Sequence, residues 1–224
     1  MEKPGLIVEI WLDVVCPFCY IGKRRFEKAL EEFEYSDKVD IVWKSFQLNP
    51  DLDITTSLRN RQFLTETKSW APEFITEANE TLRKTAADAG LEFNLEELIV
   101  VNSFNAHRLM QLAKTFGPAD RLVEALFSAH FTEGKDVSDP LVLIETGKKN
   151  GIPEAEVKKL FESNSFSKEV STDNYEARLI GQSGVPFFVI NKKYSITGAK
   201  GSEIFLGALN RSWKEMLEDL NNKL

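Results

Sequence analysis

Cys16 and Cys19 are the only cysteines among 224 residues, and they stand three apart in Cys16-Pro17-Phe18-Cys19. Two thiols at that spacing can close a disulfide over one helical turn, and thiol exchange can open it again. A strand-forming run precedes them and a helical pattern follows, so the pair falls at a helix N-terminus. There the first-turn N–H groups are unpaired and the macrodipole is positive, which stabilises a thiolate at Cys16. Cys19, one turn further in, is more shielded. Cys16 is therefore read as the attacking thiol and Cys19 as the resolving one.

The size of the effect matters. A cysteine with a pKa of about 8.5 is only about 3% thiolate at pH 7, and bringing it to about 7 takes about 2 kcal/mol, within reach of a helix N-terminus and hydrogen bonds. Asp13, three residues before Cys16, acts the other way if it is ionised and close. Lys23, Arg24 and Arg25 offset it only if they turn back toward the first turn, so the sign of the sum stays open. Zinc would want four ligands, and the remaining soft candidates, His107 and His130, lie 23 residues apart without ligand spacing.

The second chemical stretch is Ser183-Gly184-Val185-Pro186, followed by the apolar run Phe187-Phe188-Val189-Ile190. Proline cannot donate to a sheet ladder, so Pro186 belongs at the start of a strand, where it is also a candidate for a cis peptide bond.

These residues need elements to hold them. Leu6 to Leu12 is β-rich and almost continuously apolar, which suits a central strand covered on both faces. From Pro17 to about Phe33 the period becomes helical through Phe26, Leu30 and Phe33, with Pro17 as a favoured first-turn residue. Val39 to Trp43 reads as a second strand, giving β-α-β and a right-handed parallel crossover. From about residue 55 to 180 the apolar period is helical almost throughout. Asn94-Leu95-Glu96-Glu97 has the outline of a capping box and predicts a helix carrying Leu98, Val101, Leu109 and Leu112, ended by Gly117-Pro118. Helices are also expected over 120–131, 140–149, 153–163 and 166–180. The β pattern returns at Phe187 to Ile190, turns at Asn191-Lys192-Lys193, and continues through Tyr194 to Thr197 as a hairpin. A last helix from Ser202 carries Phe205, Leu209, Trp213, Met216 and Leu220.

Composition narrows the function. With 28 Lys+Arg against 35 Asp+Glu, a net charge of -7, and no basic stretch beyond Lys23-Arg24-Arg25, a phosphate-neutralising nucleic-acid binder is not expected. The longest apolar runs fall far short of the roughly 20 residues of a membrane helix. The N-terminus lacks the basic, apolar and small-residue regions of a secretory signal, so a cytoplasmic location is expected.

Strand, Cys-Pro-Phe-Cys, helix and strand, then much later Gly-Val-Pro, strand, hairpin and helix, closely resemble the thioredoxin fold of the DsbA-like oxidoreductases over nearly the whole chain. Asp13 to Gly22, Phe46-Gln47-Leu48-Asn49-Pro50, Asn105 to Leu109, Phe131-Thr132-Glu133-Gly134 and Ser183 to Phe188 look most like the FrnE-type proteins. Relatives of that type are the kappa-class glutathione transferases and the 2-hydroxychromene-2-carboxylate isomerases. The resemblance implies an α/β chain in which residues 1–52 and 181–224 form a discontinuous thioredoxin-fold domain and residues 53–180 an all-helical insertion. It implies a cis Val185–Pro186 bond packed on the cysteine pair, with Cys16, Cys19 and Pro186 carrying the exchange. Val185, Pro17, Phe18, Asn49 and His107 are the residues expected to meet substrate. Partners would be cysteine-containing proteins or small thiols. No tightly bound cofactor is expected, and glutathione is a possible redox partner or co-substrate; the assembly would be a monomer or homodimer.

Two departures bear on the chemistry. Thioredoxins carry an acid six residues before the first cysteine that relays a proton to the buried thiol, but that position here is Ile10, so Asp13 or water would have to substitute. The dipeptide between the cysteines is Pro-Phe where strongly oxidising DsbA proteins have Pro-His, which implies a less oxidising pair. His107 reads either as a proton carrier facing the cleft or as a satisfied core histidine, and His130 as a core residue. Asn49 and Pro50 form either a substrate-lining loop or a plain turn.

The function expected is thiol–disulfide exchange through a mixed disulfide at Cys16. A reductase or isomerase role suits a reducing cytosol better than net oxidation. The alternative is a glutathione-dependent transferase or isomerase, whose kappa-class and isomerase relatives carry Ser where Cys16 stands and lack a resolving thiol. A non-catalytic interaction protein with two inert cysteines is a third reading.

Overall fold

The computed structural model describes residues 5–53 and 57–222. A four-stranded sheet in the order β2-β1-β5-β6 is built from β1 (Leu6–Leu12), β2 (Val39–Ser45), β5 (Phe187–Ile190) and β6 (Tyr194–Thr197). β1 runs parallel to β2 and antiparallel to β5, so the apolar first strand lies inside the sheet, as its composition predicts. Helix α1 (Pro17–Glu32) makes the crossover from β1 to β2, and α9 (Ser202–Asn221) packs beside it. Between α1, α9 and the sheet, Phe26, Phe188 and Phe205 meet with ring centroids 4.6 to 5.6 Å apart. All three are fully buried, and each such ring contributes about 1.5–3 kcal/mol by leaving water. The three-residue hairpin turn, Asn191 to Lys193, places Asn191 and Lys192 at φ 52° and 58°, a left-handed pair whose twist matches that of the strands.

The helices between the two halves of the sheet are α2 (Asn60–Glu66), α3 (Pro72–Ala87), α4 (Phe104–Phe116), α5 (Ala119–Phe127), α6 (Pro140–Lys149), α7 (Glu154–Phe161) and α8 (Ser167–Leu179). One expectation fails here. Asn94 to Glu97 opens no helix: it forms a turn, and Ile99–Val101 is a short strand, β4, antiparallel to β3 (Ser57–Arg59). The three β-branched side chains of Ile99-Val100-Val101 are stiff at χ1 and suit a strand. Asn102 then accepts the Phe104 N–H at 2.9 Å, and α4 begins there instead. Leu109 and Leu112 are buried on α4 as expected, whereas Leu98 and Val101 belong to the strand segment. The helix expected over 120–131 is also divided, since α5 ends at Phe127 and a single π turn spans Ser128–Thr132.

One buried apolar cluster runs from Val8 and Ile10 of β1 through Leu109 of α4 to Leu126 and Phe127 of α5. Tyr20, in the first turns of α1, stacks on Phe127 at 4.9 Å and on Phe93 at 5.9 Å, so the N-terminal end of α1 is wedged against the helical block. Among the described residues no helix is long and apolar enough to cross a membrane.

Candidate active site

Cys16 is the N-cap of α1 and Pro17 its first helical residue, an order that follows from proline's fixed φ and missing N–H. The Cys16 N–H donates to the Asp13 carbonyl, and the Cys19 N–H to the Cys16 carbonyl, each at 3.0 Å. This tight turn brings the two free thiols together at the first turn, with Cys16 4% and Cys19 2% exposed. Across from them the Val185–Pro186 peptide bond is cis. The Cys16 thiol donates to the Val185 carbonyl at 3.7 Å, while Pro186 packs on Gly22 of α1. Phe18, half exposed, stands at the mouth beside a cavity of about 350 Å³ that Arg25, Thr85, Val185 and Ala199 also line.

Lys23 and Arg24 turn to carboxylates rather than back toward the thiols. Lys23, almost fully buried, pairs with Glu27 and with Glu124 at 2.8 Å. Arg24 joins the same two carboxylates, and Arg25 donates to the Ala199 carbonyl at 2.6 Å. Glu124 also accepts the Tyr20 hydroxyl at 2.7 Å, tying α1 to α5.

What meets the charge of Asp13 comes from elsewhere. Its side chain is fully buried behind the cysteine turn, where it accepts the Leu48 N–H at 2.8 Å and the Val15 N–H at 3.3 Å. His107 of α4 places Nε2 3.3 Å from Asp13 Oδ1. Burial alone would raise this carboxyl, but the bond and charge of His107, the Leu48 amide and the Ser103 hydroxyl together hold it below the usual carboxylate value. Cys19 behaves oppositely. Burial pushes its thiol well up, the neighbouring Cys16 sulfur and the Asp13 charge add to this, and a hydrogen bond from the Asp13 backbone only partly offsets it. His130, buried in the π turn, is pulled down to about 4 because burial disfavours its charged form.

Of the residues singled out in the sequence, Cys16, Pro17, Phe18, Cys19, Val185 and Pro186 converge at one end of α1. His107 lies beneath them, fully buried and bonded to Asp13 rather than facing the cleft. Asn49 sits in the exposed loop that follows β2, one residue past the Leu48 amide that binds Asp13. The roles of Leu48, named in the sequence only within a family-like stretch, and of Ser103 and Glu124 were not foreshadowed. Their roles arise from an amide, a hydroxyl and a carboxylate delivered across long separations, and nothing local in the sequence marks them.

The family model for the DSBA-like thioredoxin domain matches residues 7–210. Among solved structures, a probable DsbA oxidoreductase, SCO1869 from Streptomyces coelicolor, is 34% identical, with a TM-score of 0.90 over 94% of this chain and 91% of that one. The cytosolic disulfide reductase DsbM from Pseudomonas aeruginosa with GSH shares the fold at 14% identity, with a TM-score of 0.63 over 96% of this chain and 99% of that one. A relative in sequence is the uncharacterized protein YwbO of Bacillus subtilis (strain 168), 24% identical over 216 residues, which are 93% of this chain and 98% of that protein.

Proposed function

The chain belongs to the DsbA-like thioredoxin family, and we propose that it is a thiol–disulfide oxidoreductase cycling through Cys16 and Cys19 by way of a mixed disulfide at Cys16. One observation carries this reading: both sulfurs are free and adjacent at a helix N-terminus, with Cys16 bonded to the Val185 carbonyl at the groove and Cys19 beneath it, its thiol raised by burial. Such a pair divides the labour. Cys16, as thiolate, attacks a substrate disulfide, forms a mixed disulfide and releases one substrate thiolate. Cys19 then attacks Cys16 Sγ, closing the Cys16–Cys19 disulfide and releasing the second thiolate. Two electrons pass from the dithiol to the substrate, and the reverse order oxidises a substrate dithiol.

Val185, Pro17 and Phe18 frame the approach to Cys16, and the Val185 backbone beside the cis proline offers a β-like contact to a substrate segment. Asn49 belongs to the outer rim of this reading. The substrates are cysteine-containing proteins or small thiols. Glutathione as the redox partner is supported by the DsbM structure with GSH, and a cytoplasmic, reducing role by the description of that protein as a cytosolic reductase. On this reading residues 1–52 and 181–224 make the thioredoxin-fold domain and 53–180 the insertion. Retention of both sulfurs argues against a glutathione-dependent transferase or isomerase.

The deciding experiment is a glutathione redox titration of the pure protein, with free thiols alkylated and counted by intact mass. The expected result is one cooperative loss of two tags, which also gives the potential of the couple. One tag persisting at every ratio, or a glutathione adduct that never closes, would overturn the reading in favour of a glutathione transferase.

A further inference from the structure

The basic residues that follow the cysteine turn are of two kinds. Lys23 and Arg24 are spent on carboxylates, whereas Arg25 meets none among the described residues. Its Nη1 donates to the Ala199 carbonyl at 2.6 Å, and its other donors have no partner among the described residues. A guanidinium is a planar fork of N–H groups, so a single carbonyl leaves most of this half-buried side chain unused. Lys200, on the loop that leaves β6, is exposed and likewise makes no ion pair or side-chain hydrogen bond among the described residues.

Both cations are fixed at the wall of the cavity beside Cys16. The antiparallel register of β5 and β6 pairs Phe187 with Thr197, and the Gly198 N–H carries it one residue further by donating to the Pro186 carbonyl at 2.8 Å. The chain from Gly198 onward therefore runs alongside Val185, whose carbonyl accepts the Cys16 thiol. Gly198 turns the chain at φ 81°, the Lys200 N–H donates back to the Gly198 carbonyl at 2.9 Å, and Arg25 clamps Ala199 between them. In the resulting cavity of about 350 Å³, Arg25 and Lys200 are the charged lining residues, and no described carboxylate joins them. Glu203, the next acid along the chain, is turned back over Gly201 and lines the neighbouring cavity instead. The whole chain carries a net charge of -7, so two cations without carboxylates beside the reacting sulfur set a local field opposite to that of the molecule.

We propose that Arg25 and Lys200 form a carboxylate-binding subsite, so that Cys16 exchanges preferentially with disulfides that carry an acidic group close to the reacting sulfur. The inference rests on the exchange reading above and names its substrate class. Arg25 offers its unused N–H groups to the carboxylate oxygens, and Lys200 adds a point charge on a flexible stem. Phe18 and Val185 give an apolar wall to the carbons that join carboxylate and sulfur. The carboxylate itself forms and breaks no covalent bond. The Cys16 thiolate displaces one substrate sulfur, one S–S bond forms as another breaks, and the displaced sulfur leaves as a thiolate. What the subsite supplies is orientation of the disulfide against Cys16. A small acidic thiol and an acidic side chain beside a cysteine in an extended peptide present the same group.

The test is oxidation of the reduced full-length protein by two short symmetrical disulfides, the anionic dithiodipropionate and the cationic cystamine, followed by acid quench and intact mass. The readout is the ratio of their second-order rate constants, compared between proteins so that the intrinsic reactivity of each reagent cancels. Lys200→Ala is expected to lower the anionic-to-cationic ratio about threefold and Lys200→Glu about tenfold. Lys192→Glu makes the same charge change in the hairpin turn, at the other end of β5 from Pro186, and should move the ratio less than about twofold. Equal shifts from the two Glu variants would reduce the effect to net charge and overturn the subsite, as would a ratio that neither Lys200 substitution moves. Disulfide-linked dimers of a blocked Glu-Cys peptide and of its Gln-Cys counterpart separate the sources. A preference for Glu that Lys200→Ala removes assigns the subsite to acidic peptide segments, and a preference confined to dithiodipropionate assigns it to small acidic thiols. A protein that none of these disulfides oxidises is a different result and sinks the exchange reading itself.

Discussion

Pro186 rests on the bare α-carbon of Gly22: a β-carbon at position 22 would lie 2.9 Å from Pro186 Cγ and 3.6 Å from the Ala199 α-carbon. The helix bearing the thiols and the loop bearing Val185 are thus fitted to each other through a missing side chain. Gly22→Ala gains about 1 kcal/mol of helix propensity but overpacks a rigid ring, which costs about 1–3 kcal/mol. The expected net loss is about 1 kcal/mol in urea unfolding, together with slower attack by Cys16 in thiol-trapping kinetics, because the loop must move away from it. Unchanged stability and unchanged kinetics would show that the contact relaxes freely.

Cys19→Ala removes the resolving thiol and leaves Cys16 at the helix N-terminus. With glutathione disulfide this variant should accumulate one glutathione per chain that persists until a reductant is added, whereas Cys16→Ser should accumulate none. Adducts on Cys19 in the second variant would reverse the assigned order of the two sulfurs.

His130 makes stability depend on pH over a window of its own. Its folded value of about 4 lies below its ordinary 6.5, so between the two the unfolded chain binds more protons. Stability therefore rises with pH across that window and is lost on acidification through it, by about 3 kcal/mol in full. Asp13, held below its ordinary 3.8, contributes stability that is present above that value and lost only at still lower pH. Urea unfolding at pH 7, 6, 5 and 4.5 should show the loss in the wild type, and His130→Gln should flatten it. A wild-type slope retained in that variant would assign the acid sensitivity to other groups.

Lys23 and Glu124 supply a test of a different kind. The lysine is 1% exposed and the side chain of Glu124 about a third exposed, with Tyr20 and Arg24 also bonded to that carboxylate. Glu124→Gln leaves a buried ammonium with Glu27 as its main partner and is expected to cost about 1–2 kcal/mol, discounted for the exposure of the glutamate. Lys23→Met, which removes the buried charge itself, should cost less, and urea midpoints of the two variants decide the order.

Strand β1, the start of α1 at Pro17 and the hairpin at Asn191 were legible because each rests on local chemistry: an unbroken apolar run, a proline suited to a first turn, and a turn flanked by strands. Ile99–Val101 was misread because Asn94 to Glu97 imitates a helix start, while the decisive factor was pairing with Ser57–Arg59, some 40 residues earlier. At the site, the two sulfurs and Pro186 are marked by spacing. The partner of Asp13 is not, since His107 lies 94 residues away on a helix whose periodicity gives no sign of which residue faces the first turn of α1. Even the direction taken by Lys23 and Arg24 depended on Glu124, a surface-looking acid in the sequence.

The bond between Asp13 and His107 bears on how far this site can be transplanted. A minimal scaffold that kept both ends of the chain and joined them across the deleted helices would keep both sulfurs and the proline loop, yet it would leave the Asp13 carboxylate without its imidazole. Grafting Cys-Pro-Phe-Cys into a foreign helix would carry over the sulfurs and not the buried Asp13 and its partners. The unit that evolution or a designer could move intact is the cysteine turn together with α4, two segments far apart in sequence that behave chemically as one part.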